Sequence, residues 1–243
     1  MHCQPHELGM VYNWIKNDQV CLLCDEVSGN PYALCEACEC ELPWLDEQCT
    51  VCALPLAMGG FTCSPCRRRP PAFGKVETPW HYGFPIDSLI TRFKHNSQWP
   101  YGRLLAELTS HWLDHRFNEG LARPALLVPV PMGRKRLRKR GFNQAEMLAR
   151  WLSAALNIPC DAALIQRSRE TQSQQELGAK ARLSNLQQAF TLMPGADLDG
   201  LHVALVDDVL TTGATAQALA LLLRDAGAAR VDVYCLARTA KPE

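Results

Sequence analysis

Val203-Ala204-Leu205-Val206-Asp207-Asp208-Val209-Leu210-Thr211-Thr212-Gly213-Ala214-Thr215 is the stretch whose reading decides the fold. Its first four residues are uniformly apolar, with no polar face. A central strand of a parallel sheet reads this way, because helices cover both of its sides. Asp207 and Asp208 follow where such a strand would emerge, and a loop of small and hydroxylated residues comes next. A helical pattern then begins, with Leu219, Leu222, Leu223 and Ala226 three and four apart and Gly227 at the expected C-terminal cap.

A loop leading into a helix N-terminus offers unpaired N–H groups and the positive end of the helix dipole, which suit a phosphate. Gly213 lets the backbone approach an anion closely, and Thr211, Thr212 and Thr215 add donors. The two carboxylates share the sign of a phosphate, so their use is to accept hydrogen bonds from vicinal hydroxyls such as those of a ribose. The alternative is an ordinary strand–turn–helix with two surface aspartates. The stretch resembles the signature of type I phosphoribosyltransferases, which bind 5-phosphoribosyl 1-pyrophosphate (PRPP). That resemblance implies that Asp207 and Asp208 hold the sugar, and that Thr211, Thr212, Gly213, Ala214 and Thr215 hold the 5′ phosphate.

A length of 243 residues allows one sizeable domain and a small one. Lys plus Arg and Asp plus Glu each total 25, so global charge selects no polyanionic partner and any such affinity must be local. No apolar run approaches the ~20 residues that span a bilayer. Residues 1–20, an N-terminal extension, lack the apolar core of a secretory signal, and a cytoplasmic location is expected.

Ten of the twelve cysteines precede residue 67, and a reducing compartment disfavours disulfides for them. Eight form the pairs Cys21/Cys24, Cys35/Cys38, Cys49/Cys52 and Cys63/Cys66, each starting fourteen residues after the last. Zinc takes four tetrahedral ligands and a Cys-x-x-Cys turn supplies two, so residues 21–69 read as a double zinc-ribbon module with two structural Zn²⁺ sites. Consecutive pairing is preferred, while a cross-brace has equal spacing. Redox or iron–sulfur use competes, and Cys40 is a possible substitute for Cys38. Cys160 and Cys235 stand in apolar contexts as core thiols.

Residues 70–87 read as a linker with an edge strand, and 88–243 as the PRPP-binding domain. Helices are expected from Ser88, presenting Lys94, and over roughly 103–117, with Pro100 and Gly102 interrupting between them. A buried strand at 125–131 runs into Gly133-Arg134-Lys135-Arg136-Leu137-Arg138-Lys139-Arg140-Gly141, read as a cationic loop for pyrophosphate or a nucleic-acid backbone. Its candidate contacts are Arg134, Arg136, Arg138, Lys139 and Arg140. Asn143 and Glu146 cap the next helix, strands follow at 161–166 and 190–192, and 231–237 closes the sheet. Residues 167–189 form a long polar segment, either a functional loop or partly helical, with candidates Arg169, Thr171, Gln174, Arg182 and Asn185.

The collinear order of the Cys-x-x-Cys series, Phe93-Lys94, Val128-Pro129-Val130-Pro131, Arg140-Gly141-Phe142-Asn143-Gln144, Thr171 with Gln174, Arg182 with Asn185, and Asp207 to Thr215 resembles the ComF/GntX family. The resemblance implies an α/β fold: a type I phosphoribosyltransferase-like, Rossmann-like parallel sheet carrying a small N-terminal double zinc-ribbon module. It assigns catalysis to Asp207, Asp208 and Lys94, with PRPP and Mg²⁺ in the pocket. It implies a role in competence and use of external DNA, with single-stranded DNA and DNA-uptake helicase or channel proteins as partners. Arg67–Arg69 and Arg134–Arg140 would then grip phosphates while Trp44, Phe73 and Trp80 stack bases. Two functions stay open, a PRPP-binding protein of DNA utilisation and an active phosphoribosyltransferase.

Overall fold

The computed structural model describes residues 19–96, 98–168 and 188–240. They divide into two compact units between Glu41 and Leu42. The first holds one cysteine tetrad, Cys21, Cys24, Cys35 and Cys38, with helix α1 (Glu36–Cys40) after the second pair begins. The second begins with the other tetrad, Cys49, Cys52, Cys63 and Cys66, with helix α2 (Ser64–Arg68) at its end. The expected single module at 21–69 is thus divided. Leu45 and Ala53 are buried in the core of the larger unit, with Val51 and Cys52 packed against it, so that core anchors the second tetrad.

The larger unit is organised on five parallel strands. They are β1 (Val76–Glu77), β2 (Trp80–His81), β3 (Leu126–Pro129), β6 (His202–Leu210) and β7 (Arg230–Arg238). The order is β1–β7–β6–β3, with β2 also on β7. Val203 to Val206 are fully buried, the two-sided cover that their uniform apolarity requires. The strand runs longer than expected and carries both aspartates within it. The segment at 70–87, expected to be linker and edge strand, supplies β1 and β2. Two short strands, β4 (Ile165–Arg167) and β5 (Phe190–Leu192), pair antiparallel as a separate sheet, which moves the strand expected at 161–166.

Helices α3 (Ile86–Asn96), α4 (Trp99–Asn118), α5 (Arg134–Arg140), α6 (Gln144–Leu156) and α7 (Ala214–Asp225) complete the unit. Pro100 and Gly102 do not interrupt α4. Pro100 sits in the first turn, where its missing N–H costs nothing. Gly102 is required because a Cβ there would lie 2.5 Å from the buried Phe93 ring, which seats α3 against α4. The cationic run at 133–141 is a helix, not a loop. Arg, Lys and Leu are good helix formers, and Gly141, at φ 87°, ends it. Asn143 caps α6 by accepting from the Ala145 N–H, while Glu146 pairs with Arg150 one turn on. Among the described residues, no helix is long and apolar enough to cross a membrane.

At the N-terminal end of the sheet, the buried carboxylate of Asp232 receives His202 Nε2 (2.9 Å), Arg230 Nη2 (2.8 Å) and the Lys75 N–H (3.0 Å). Burial opposes its ionisation, but these partners outweigh burial and hold it below the usual carboxylate range. That network is structural. The residues singled out in the sequence gather at the opposite end.

Candidate functional site

Where β6 ends, it presents acids to a polar cleft of about 210 Å³. Asp207 and Asp208 form one side, with Val130, Pro131 and Met132 after β3 beside them. Cations face the acids. The Lys94 ammonium lies 2.9 Å from Asp208 Oδ2, and Arg136, Arg140 and Arg167 also line the cleft. Arg136 and Arg140 are one helical turn apart, so α5 offers one cationic face to the cleft. Arg134, Arg138 and Lys139 are exposed and do not line it. Arg140 donates to Gln144 Oε1 (2.5 Å), and Asn143 donates to the Val130 carbonyl (3.1 Å). These bonds fix the start of α6 to the loop beyond β3.

The two acids differ. Asp208 is 6% exposed and has the Lys94 ion pair, whereas Asp207 is pushed up to about 8, first by burial and then by the charge of Asp208. Near neutral pH the doublet therefore carries less than two negative charges.

After Leu210 the chain turns through Thr211 and Thr212 to Gly213, which caps α7 at φ 74°, a conformation that favours glycine. Thr212 Oγ1 accepts from the Ala214 N–H (3.3 Å). Thr215 reaches the polar cleft, while Thr211 to Ala214 line a second, larger cavity of about 620 Å³. This second cavity is mainly apolar, walled by Phe73, Pro65, Pro71, Leu54 and Leu210, with cysteines of the second tetrad and Arg69 at its border.

Both tetrads use consecutive pairs, which settles the pairing against a cross-brace. Within each, all four sulfurs lie within 4.8 Å of one another. Cys24–Cys35 and Cys52–Cys63 are separated by 3.7 and 3.6 Å between sulfurs. A tetrahedron of thiolates ~2.3 Å from zinc has edges of about 3.8 Å, so the donor sets fit that ion. Burial raises the Cys21 and Cys49 thiols, but backbone N–H groups more than offset it. Those of Cys35, Leu23 and Cys24 bring Cys21 to about 6, and those of Cys52, Cys63 and Val51 bring Cys49 to about 7. Cys38 and Cys66 are pushed up, chiefly by burial, so each would lose its proton to an arriving metal. Cys40 is exposed and outside both tetrads. Burial raises the Cys235 thiol to about 12, in keeping with a core role.

Trp80 and Phe73 are 0% and 5% exposed and offer no open ring face to a DNA strand, because β2 joins the sheet and Phe73 enters the core beside the 620 Å³ cavity. An exposed aromatic does lie near the cationic helix. Trp99, 52% exposed, stands 6.3 Å from the Phe142 ring, two residues beyond α5. Arg169, Thr171, Gln174, Arg182 and Asn185 fall outside the described residues, as do residues 1–18. Arg167, just before that segment, enters the cleft, and sequence reasoning misses it. The available signal is the alternation Ile165-Gln166-Arg167 on a short strand.

Residues 139–243 match the phosphoribosyl transferase domain family. The chain is 34% identical to the DNA utilization protein YhgH of Salmonella typhimurium, over 90% of this chain and 97% of that one. It is 35% identical to the competence protein F of Haemophilus influenzae, over 84% and 90%. A purine phosphoribosyltransferase structure from Pyrococcus horikoshii is similar over 55% of this chain and 74% of that one, at 20% identity and a TM-score of 0.37. A relative matched at this identity along nearly its whole length shows that the chain belongs to the ComF/GntX family of competence and DNA-utilisation proteins, with a type I phosphoribosyltransferase-like domain.

Proposed function

We propose that the protein acts in the use of external DNA and that its polar cleft binds PRPP with Mg²⁺. The observation that carries this reading is the gathering of opposite charges in one cleft: Asp207 and Asp208 together with Lys94, Arg136, Arg140 and Arg167. A ribose offers vicinal hydroxyls to the acids, and a pyrophosphate offers its charge to the cations. The 5′ phosphate sits on the turn Thr211–Thr215 at the N-terminus of α7. Mg²⁺ bound with PRPP would neutralise part of the pyrophosphate charge. Calorimetry should show PRPP binding that requires Mg²⁺. The double variant Asp207→Asn with Asp208→Asn should weaken it by at least ~100-fold, the loss of two charge-assisted hydrogen bonds. Unchanged affinity would overturn the reading.

In this proposal the two cysteine tetrads are structural zinc sites and the protein works in the cytoplasm. Single-stranded DNA follows the exposed cations Arg134, Arg138 and Lys139, with Trp99 stacking a base. Affinity should fall steeply with salt. Arg138→Glu with Lys139→Glu should flatten the log–log slope by ~0.7 for each phosphate that the variant no longer holds. The helicase or channel proteins of DNA uptake are the partners proposed to deliver that strand.

The 620 Å³ cavity favours a second reading, transferase activity, because its wall is the same turn that holds the phosphate. An acceptor there would form a bond to the anomeric carbon as the bond to pyrophosphate breaks. Release of pyrophosphate with a panel of flat heterocycles tests this. PRPP binding without release supports the binding protein alone.

A further inference from the structure

Arg238, the last residue of β7, is only 6% exposed, and all its described hydrogen bonds go to neutral acceptors. Its Nε donates to the Cys52 carbonyl (2.9 Å), and its Nη1 to the carbonyls of Leu210 (3.0 Å) and Thr211 (2.5 Å). Cys52 belongs to the second tetrad, and Leu210 and Thr211 open the phosphate turn. One guanidinium thus spans 186 residues of chain separation to join a metal knuckle to a ligand loop. The fork is rigid and planar, so its two arms cannot move independently.

We infer that Arg238 is a positioning residue through which metal occupancy of the second tetrad sets the affinity of the turn Thr211–Thr215 for a sugar phosphate. The inference rests on the reading of that turn given above. The knuckle is fixed on its other side, where the Val51 carbonyl accepts from the Val76 N–H of β1 (2.8 Å). The 620 Å³ cavity is lined by both knuckle and turn, and the guanidinium bridges them by hydrogen bonds, beside the packing of Val51 and Cys52 against the core. Without metal the four thiols lose what draws them together, and the Cys52 carbonyl loses its fixed place. A buried guanidinium deprived of that acceptor must turn toward another, and its second arm holds the turn. The second tetrad is then a working part of the ligand site as well as a brace.

Four proteins decide the matter: the full chain, Cys66→Ser, Arg238→Met and the double variant. Zinc content, PRPP affinity by calorimetry and amide hydrogen exchange across 211–215 are read on each. Cys66→Ser should lose about one of two zinc equivalents, weaken PRPP by ~10-fold and speed exchange in the turn. Arg238→Met should keep its zinc and show the same weakening and faster exchange. The double variant should be no worse than either single one. Losses that multiply, or a Cys66→Ser protein with an unchanged turn, would overturn the inference. Exchange is measured without ligand, so it decides the coupling even if PRPP binds to none of the four proteins, a result that would remove the proposed ligand alone. If Arg238→Met does not fold, Arg238→Lys replaces it. A single ammonium cannot span both carbonyl groups, and the same non-additivity is required.

Discussion

The turn that follows β6 has two unlike sides. One is a 210 Å³ cleft crowded with charge, the other a 620 Å³ cavity walled mainly by apolar side chains. Asp207, Asp208 and Thr215 face the first, while Thr211 to Ala214 line the second. A strand ending in a tight turn before a helix N-terminus can serve both at once, because successive residues there point in different directions. The lesson is that recognition of a charged group and accommodation of an apolar one need not compete for the same surface. They can share a few backbone atoms and be tested apart.

Among single substitutions, damage to the shared turn itself should have the largest effect on PRPP affinity. Gly213 holds φ 74°, and a Cβ built there meets only the Phe73 ring at 3.9 Å. Conformation, not space, therefore excludes other residues. Gly213→Val should cost about 1–2 kcal/mol of stability and shift the turn toward ordinary backbone angles. PRPP affinity should fall by ~30-fold or more, and binding to the apolar cavity should fall with it. If calorimetry finds one side unaffected, the two sides do not share the turn.

Next in size is the loss of Lys94, which acts on the polar side alone. Its ammonium is the ion-pair partner of Asp208, whose side chain is 8% exposed. Lys94→Met leaves a buried carboxylate unpaired, a change that typically costs ~3–5 kcal/mol when such a pair is fully buried and less here, where Lys94 keeps 21% exposure. A melting temperature lowered by several degrees and PRPP affinity reduced by ~10-fold are expected. A wild-type affinity in this variant would remove Lys94 from the site.

Much of the polar side was legible in the sequence because its parts are contiguous. The apolar run, two acids, hydroxyls and glycine occur in one line of thirteen residues, and backbone geometry alone brings them together. The cationic face was legible as charge but not as shape. Arginines bracketed by glycines read as a loop, and only the helix shows that Arg136 and Arg140 line the cleft while Arg134, Arg138 and Lys139 do not. The apolar cavity was not legible. Leu54, Phe73, Leu210 and Arg238 come from distant parts of the chain, and no local pattern joins them. The same distance explains the misreading of Trp80. Expected to stack bases, Trp80 instead pairs with Ala237 and is fully buried.

Acidity sharpens the contrast further, with a smaller effect. Asp207 is raised to about 8 by burial and by Asp208, so the folded protein keeps a proton that the unfolded chain releases near pH ~4. A raised carboxylate stabilises the fold at low pH, and that contribution declines as pH rises from about 4 through 8. Ribose hydroxyls need the ionised form, so ligand binding must expel the proton. PRPP affinity should rise about fivefold between pH 7 and 8, with net proton release measured by calorimetry in buffers of different ionisation enthalpy. Asp207→Asn should flatten the profile. The apolar cavity should show no such dependence, having no carboxylate in its wall among the described residues.

The smallest expected effect is the most exacting. Leu54 lines the apolar cavity, is absent from the polar cleft and packs against the buried cysteines of the second tetrad. Leu54→Trp should fill part of the 620 Å³ with an indole while leaving Asp207, Asp208, Lys94 and Arg136 where they are. PRPP affinity should then stay within about twofold of the unaltered protein, and zinc content should not change. Binding of a flat anionic probe such as anilinonaphthalene sulfonate should fall by ~10-fold, since its ring and the indole would claim the same volume. A large loss of PRPP affinity would mean that the two sides exchange strain across the turn, and the division between them would be one of lining and not of function.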